Sequence, residues 1–352
     1  MRRRLTALGI ALLVVWAVVG LATGGDERGP KNAVGLPSRP VRFTVAASGD
    51  LLIHGPVFRQ ALLDGGGHRY DFRPMLRWVR RVVAPADIAL CHLEQPLTHG
   101  EPQGEPVFRA PAELAGGIRW AGWDACSTAS NHALDGGEDG VRTTVRELDK
   151  QGVRHSGTYS SLQAPRPALL QVKGVRVAFL AYTQRIVGMP RPQNGWSLAM
   201  AEPDRIISDA RAARRSGAGM VVVSVHWGDE YRHQPSRFQR RLAAALTGSG
   251  VVDVVIGQHV HVVQPIRRVR DKPVVYGEGN LLSNQTTACC PAASQDGLIA
   301  LLDVRAGPDG VAVERVRHVP TWVRHPDFRV VAAPAASRRR TEAVVSSPPR
   351  SG

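Results

Sequence analysis

Two histidines one residue apart, His259 and His261, close an apolar run that begins at Val251 and passes through Gly257. In an extended segment, residues i and i+2 point the same way. The spacing therefore predicts two imidazoles aimed at one point just past a strand end, which suits a metal ion. Alone, His-x-His is more often a pair of surface histidines in a loop. Its weight comes from other polar residues that follow apolar runs in the same manner. Asp50 follows Arg42–Ser48, Glu94 follows Asp87–Cys91, Asn131 and His132 follow Asp124–Ala129, and His226 follows Gly219–Val225. Each has a bland alternative: Gly49-Asp50 as a turn, Ser130-Asn-His132 as a helix cap, Glu94 as an exposed turn residue. Together they supply carboxylate, amide and imidazole donors from separate segments. Such a set suits Zn, Mn or Fe, as one ion or as two sharing a carboxylate, and with it metal-assisted hydrolysis.

The elements that must position these donors alternate. Strands are predicted at the apolar runs above and at Pro273–Tyr276. Helices are predicted at Tyr70–Val83, Pro111–Trp120, Gly140–Gln151, Pro203–Ser216 and Ser236–Gly248. Ala168–Val172 and Val175–Tyr182 read as a hairpin across Lys173-Gly174, and Leu298–Val304 with Val311–Val319 as a closing antiparallel pair. Alternating strands and helices argue for an α/β fold, and ligands of open α/β sheets bind at strand ends. No Walker loop and no GxGxxG at a strand–helix junction supports nucleotide binding.

At 352 residues with 43% hydrophobic content, the chain can bury a large core. Residues 1–22 read as a signal anchor: three arginines precede Leu5–Ala22, an uncharged run of 18 residues. Residues 23–40, rich in Gly, Pro and charge, read as a linker to an extracytoplasmic domain at 41–322. Residues 323–352, poor in large apolar side chains, read as a disordered basic tail. The net charge of +15 suits anionic lipid, an anionic polymer or an acidic substrate. Export and the absence of interleaved aromatic and basic residues argue against a nucleic-acid partner. Cys91 and Cys126 sit in apolar runs and read as buried free thiols. Cys289-Cys290 lie in a loop, where one of them has scope for a disulfide with a partner the sequence leaves unnamed.

The order of the motifs resembles the CapA family, named for a poly-γ-glutamate capsule synthesis protein and related in fold to calcineurin-like metallophosphatases. The resemblance runs from Arg42 to Trp322. It rests on Ala47-Ser-Gly-Asp50, Leu93-Glu-Gln-Pro-Leu-Thr98, Ser130-Asn-His-Ala-Leu-Asp135, His226-Trp-Gly-Asp-Glu-Tyr231, Ile256-Gly-Gln-His-Val-His261 and Val275-Tyr-Gly-Glu-Gly-Asn280. It implies a four-layer αββα sandwich of two mixed sheets flanked by helices. It also implies export and a polymer-related role; taken with the anchor run and the basic charge, the expectation is a cell-membrane location, a phosphoester or an amide-linked anionic polymer as substrate, and membrane polymer synthase proteins as partners. By the same analogy Asp50, Glu94, Asn131, His226, His259 and His261 fall where metal ligands sit, and His132 where a proton donor to the leaving group sits. The chain departs from the family pattern at His92, Gln258, Val260 and the Tyr-Gly-Glu-Gly-Asn-Leu stretch. His92 shares the i, i+2 relation with Glu94 and reads as structural.

Overall fold

A computed structural model describes residues 35–161, 167–190 and 197–347. The anchor run Leu5–Ala22 lies outside the described residues, among which no helix is long and apolar enough to cross a membrane.

One sheet is built from β1 (Val41–Leu51), β2 (Ile88–Leu93), β5 (Ala125–Ser127) and β6 (Arg154–Ser156) in parallel. The antiparallel β14 (Asp296–Gly307), β15 (Gly310–Arg324) and β16 (Arg329–Ala332) continue it on the other side of β1. The short β13 (Asn280–Leu282) pairs in parallel with the end of β1, where the register shifts at Asp50. A minor ladder joins β3 (Leu97–Thr98) to β4 (Ala110–Pro111). In the second sheet β8 (Val175–Thr183), β9 (Met220–His226), β10 (Val254–Gln258) and β12 (Lys272–Val275) run parallel. Antiparallel β7 (Ala168–Val172) and β11 (Ile266–Val269) form its edges. Lys173 and Gly174 both take positive φ (46° and 80°) between β7 and β8, as a tight hairpin turn requires.

The strands alternate which face they bury, and this sets the layers. Val45, Ala47 and Leu90 meet Phe179, Val222 and Ile256 between the sheets. Ala46 and Cys91 face outward onto α1 (Gly55–Asp64), α2 (Arg73–Val83) and α3 (Leu114–Ala121), and Leu148 of α4 (Gly137–Lys150) joins the same cluster. Leu180, Val223 and Val255 face α5 (Pro203–Arg215) and α6 (Arg237–Gly248). The result is the expected four-layer αββα arrangement of two mixed sheets.

Two expectations need correction. Residues 323–347 are structured rather than a disordered tail: β15 extends to Arg324, β16 pairs with it, and α7 (Ala335–Ser346) follows. Ser337, Thr341 and Val345, spaced by four, form the buried face of α7. Side chains this small carry little apolar signal in the sequence. The arginines anchor the segment: Arg340 makes two bonds of 2.8 Å to Asp296, and Arg329 pairs with Asp64. The cysteines are likewise not free. Cys91 and Cys126 are register partners on β2 and β5 and form a buried disulfide, and Cys289 is joined to Cys290.

Candidate metal centre

Asp50, Glu94, Asn131, His226, His259 and His261 lie together at the strand ends, all buried to 3% exposure or less. Gly49 allows the approach of Asp50. A Cβ there would stand 1.9 Å from the Gly279 carbonyl oxygen, which instead accepts a 3.0 Å bond from Asp50 N–H. His226 ends β9, with Nε2 2.8 Å from Asn131 Oδ1 and 3.8 Å from Glu94 Oε1. His261 reaches Asp50 Oδ2 through Nδ1 at 3.1 Å and Glu94 Oε1 through Nε2 at 3.7 Å.

His259 and His261 converge by a different route from the extended one their spacing predicts. β10 ends at Gln258, and both histidines adopt positive φ, 93° and 55°. L-residues rarely take such backbone, and it collects at functional sites.

Two site residues escape the ligand set read from sequence. His92 is fully buried, stacks on His226 with ring centroids 4.8 Å apart, and places Nε2 4.0 Å from Asp50 Oδ1. Its i, i+2 relation to Glu94 is the signal that points to it. Glu230 reaches the mouth, its carboxylate grouped with His259 and His261. At the rim, Phe108 stands edge-on to both His54 and His132. His132 Nδ1 donates to Asp135 Oδ2 at 2.8 Å, and that oxygen also accepts from Phe108 N–H.

The protonation states of three of the imidazoles suit ligation. Burial lowers His92 to about 4 and His259 to about 3, and pushes His226 well below the usual imidazole range. All three present lone pairs at neutral pH. Burial opposes charge on His261 as well, but Glu94 and Asp50 outweigh it and hold it up to about 10. Asn280 Nδ2 donates to Gln285 and Ser294, so its Oδ1 faces His261 Nδ1 at 3.0 Å. With Asp50 and Asn280 both accepting at Nδ1, the ring turns Nε2 toward Glu94. Gln258, a departure from the family pattern, accepts from Ser224 Oγ and donates to Glu278, bracing β10 behind the site.

A divalent cation fits this donor set. Both oxygens of Glu94 and one nitrogen each of His92, His226 and His259 are buried without a hydrogen-bond partner. Unpartnered buried polar atoms cost about 1–3 kcal/mol each, more when charged. Ligand atoms of Asp50, His92 and His226, of Glu94, His226 and His259, and of Asp50, Glu94 and His261 lie within 4.8 Å of one another in each group.

The family model described as bacterial capsule synthesis protein PGA_cap matches residues 44–285, more than half of the chain and every segment of this cluster. The chain belongs to the PGA_cap family. Relatives of this PGA_cap member include the capsule biosynthesis protein CapA of Bacillus anthracis, 31% identical over 50% of this chain and 44% of the relative. The PGA biosynthesis protein CapA of Bacillus subtilis is 28% identical over 60% of this chain and 57% of the relative. The chain thus spans about half the length of the curated relatives it matches. Among solved structures, the calcineurin-like phosphoesterase YfkN from Bacillus subtilis is 13% identical and covers 86% of this chain and 96% of its own, with a TM-score of 0.46.

Proposed function

We propose that this PGA_cap protein is a metal-dependent hydrolase or transferase acting on a phosphoester or an amide-linked anionic polymer at the outer membrane face. The observation that carries the reading is Glu94, a fully buried carboxylate with no hydrogen bond to either oxygen, surrounded by Asp50, His226, His259 and His261. These residues, with Asn131, would hold one or two divalent ions of the Mn, Zn or Fe type. Such an ion supplies Lewis acidity to a phosphoryl or carbonyl oxygen. His132, fixed through Nδ1 by Asp135 and 14% exposed at its side chain, would carry a proton to the leaving oxygen. The arginine-preceded run Leu5–Ala22 supports a membrane anchor, and the net charge of +15 supports an anionic polymer. Membrane polymer synthase proteins are the proposed partners.

The test is metal analysis of protein purified without chelator, followed by assays on p-nitrophenyl phosphate, its diester and poly-γ-glutamate. His259→Ala should lower metal content. His132→Ala should keep metal and lose turnover. Protein that neither holds nor takes up metal sinks the reading. Metal-loaded protein that cleaves none of these substrates leaves a polymer-binding component of the envelope machinery instead. Protease added to spheroplasts should digest the domain, and protection there with cleavage after lysis would reverse the orientation.

A further inference from the structure

The arginines of α2 divide into two sets. Arg73 is held by Asp71 at 2.6 Å, and the Arg80 guanidinium lies 4.9 Å from the centroid of the Trp120 ring. Arg77 and Arg81, one helical turn apart and both exposed, have no acidic partner among the described residues. They line a cavity of about 340 Å3 between α2 and the β15–β16 turn, together with Trp78, Arg324, Arg329 and Val330. Val79 and Val83 of α2 share an apolar cluster with Val330 of β16, and Trp78 packs against it, so the floor of the cavity is fixed. Arg324 bonds Asp327 at 3.0 Å, and Arg329 bonds Asp64 at 2.9 Å. Four guanidiniums thus face two carboxylates, which leaves an excess of two positive charges.

We infer that this cavity is a docking site for a carboxylate-bearing polymer, separate from the metal centre, with Arg77 and Arg81 as its free cations. The inference rests on the proposed function for the identity of the polymer. Guanidinium forks match carboxylates, and two such pairs already stand in the cavity wall. The i, i+4 spacing makes Arg77 and Arg81 neighbours on one helix face. A recess beside an indole admits the acidic side group of a single chain, whereas the surface of a bilayer cannot enter it. The location also fits. Asp296 pairs with Trp322 and Ser48 with Ile299, which puts the end of β15 at the same end of the sheet as Asp50. His54 stands between the two places: His325 in the β15–β16 turn and His132 of the centre both oppose charge on it. A long polymer can occupy the cavity and the centre at once, and binding at one raises its effective concentration at the other. A small phosphoester can occupy only one.

The test is binding of fluorescently labelled poly-γ-glutamate to full-length protein, metal-loaded and chelator-stripped, read by anisotropy. Arg77→Gln combined with Arg81→Gln should weaken binding by about 10-fold or more in both forms, as loss of a charge-assisted bond does. The deficit should shrink as salt rises. Arg211→Gln combined with Arg241→Gln removes the same charge from α5 and α6 in the opposite helical layer, and should change binding by less than about 2-fold. Metal content and turnover of p-nitrophenyl phosphate should match wild type in both double variants. The replaced side chains are exposed and glutamine is a good helix former, so both are expected to fold, which near-UV circular dichroism checks. Equal weakening in the two double variants would mean that net charge rather than the cavity attracts the polymer, and overturns the inference. So does wild-type protein that binds no polymer, or binds it only when metal is present. A first double variant that loses affinity for phosphatidylglycerol vesicles and none for the polymer makes the cavity a membrane contact instead, and overturns it too. The metal-centre reading survives all of these results. Wild-type protein that docks the polymer through Arg77 and Arg81 but takes up no metal sinks that reading and leaves the docking site standing.

Discussion

Asn280 Oδ1 lies 3.0 Å from His261 Nδ1, on β13, a strand of three residues that pairs with the end of β1. The amide is fixed from behind by Gln285 and Ser294, so it orients the imidazole from outside the donor set. Asn280→Ala should lower metal affinity by about 10- to 100-fold, the usual effect of losing a partner that orients a ligand. Competition with a chelating dye of known affinity measures it. An unchanged affinity would assign ring orientation to Asp50 alone.

Much of the centre is legible in the amino-acid sequence. Apolar runs ending in Asp50, Glu94, Asn131, His226 and His259 locate the strand ends, because strand periodicity and strand-end chemistry both leave local marks. Features made by pairing over long range leave none. β13 is too short to carry a pattern, and its place beside β1 depends on Gly49 and Gly279. The Cys91–Cys126 bond needs the β2–β5 register. α7 buries Ser, Thr and Val rather than Leu or Phe, so composition hides its burial. The left-handed backbone at His259 and His261 is imposed by tertiary structure on residues that do not favour it.

The C-terminal segment provides a stability test. Asp296 is 2% exposed and accepts both bonds of Arg340, with Ser337 Oγ at 2.6 Å as its other partner. Arg340→Ala would leave a buried carboxylate without its cation. Arg340 is itself half-exposed, which reduces the cost from that of a fully buried pair to about 2 kcal/mol. Urea denaturation should show that loss, and a chain ending at Trp322 should lose more, since it also lacks β16 and α7. A full-length chain and one ending at Trp322 with equal midpoints would remove α7 from the folding unit.

Glu147 gives a pH dependence remote from the metal centre. Burial raises its pKa, but hydrogen bonds from Lys150 (2.7 Å), His99 (2.9 Å) and Arg146 (3.3 Å) outweigh this and hold it at about 2. The folded value lies below the ordinary 4.5, so the contribution is complete above about pH 4.5 and is lost as pH falls toward 2. All three partners are about half exposed, which limits the contribution to about 1 kcal/mol. Glu147→Gln should therefore be less stable by that amount at pH 7. The gap to wild type should close between about pH 4.5 and pH 2 in chelator-treated samples. A gap that stays constant across that range would mean that packing, not charge, holds the residue.

The last prediction separates proton delivery from metal binding. His132 Nδ1 donates to Asp135 Oδ2, which also accepts from Phe108 N–H at 2.7 Å, so one oxygen fixes both the imidazole and the aromatic ring that stands edge-on to it. With Nδ1 engaged, Nε2 is the nitrogen left to meet a substrate. Asp135→Asn keeps the shape but allows the amide to turn its NH2 toward the ring and disturb that orientation. If His132 delivers the proton, kcat should fall by at least about 10-fold while KM and metal content stay near wild type, because only the transition-state interaction is lost. Substrates with better leaving groups, which need less protonation, should be the least affected. A uniform fall across leaving groups, or a fall in metal content of the same size, would make Asp135 a structural support of the Asn131 segment rather than the positioner of a proton donor.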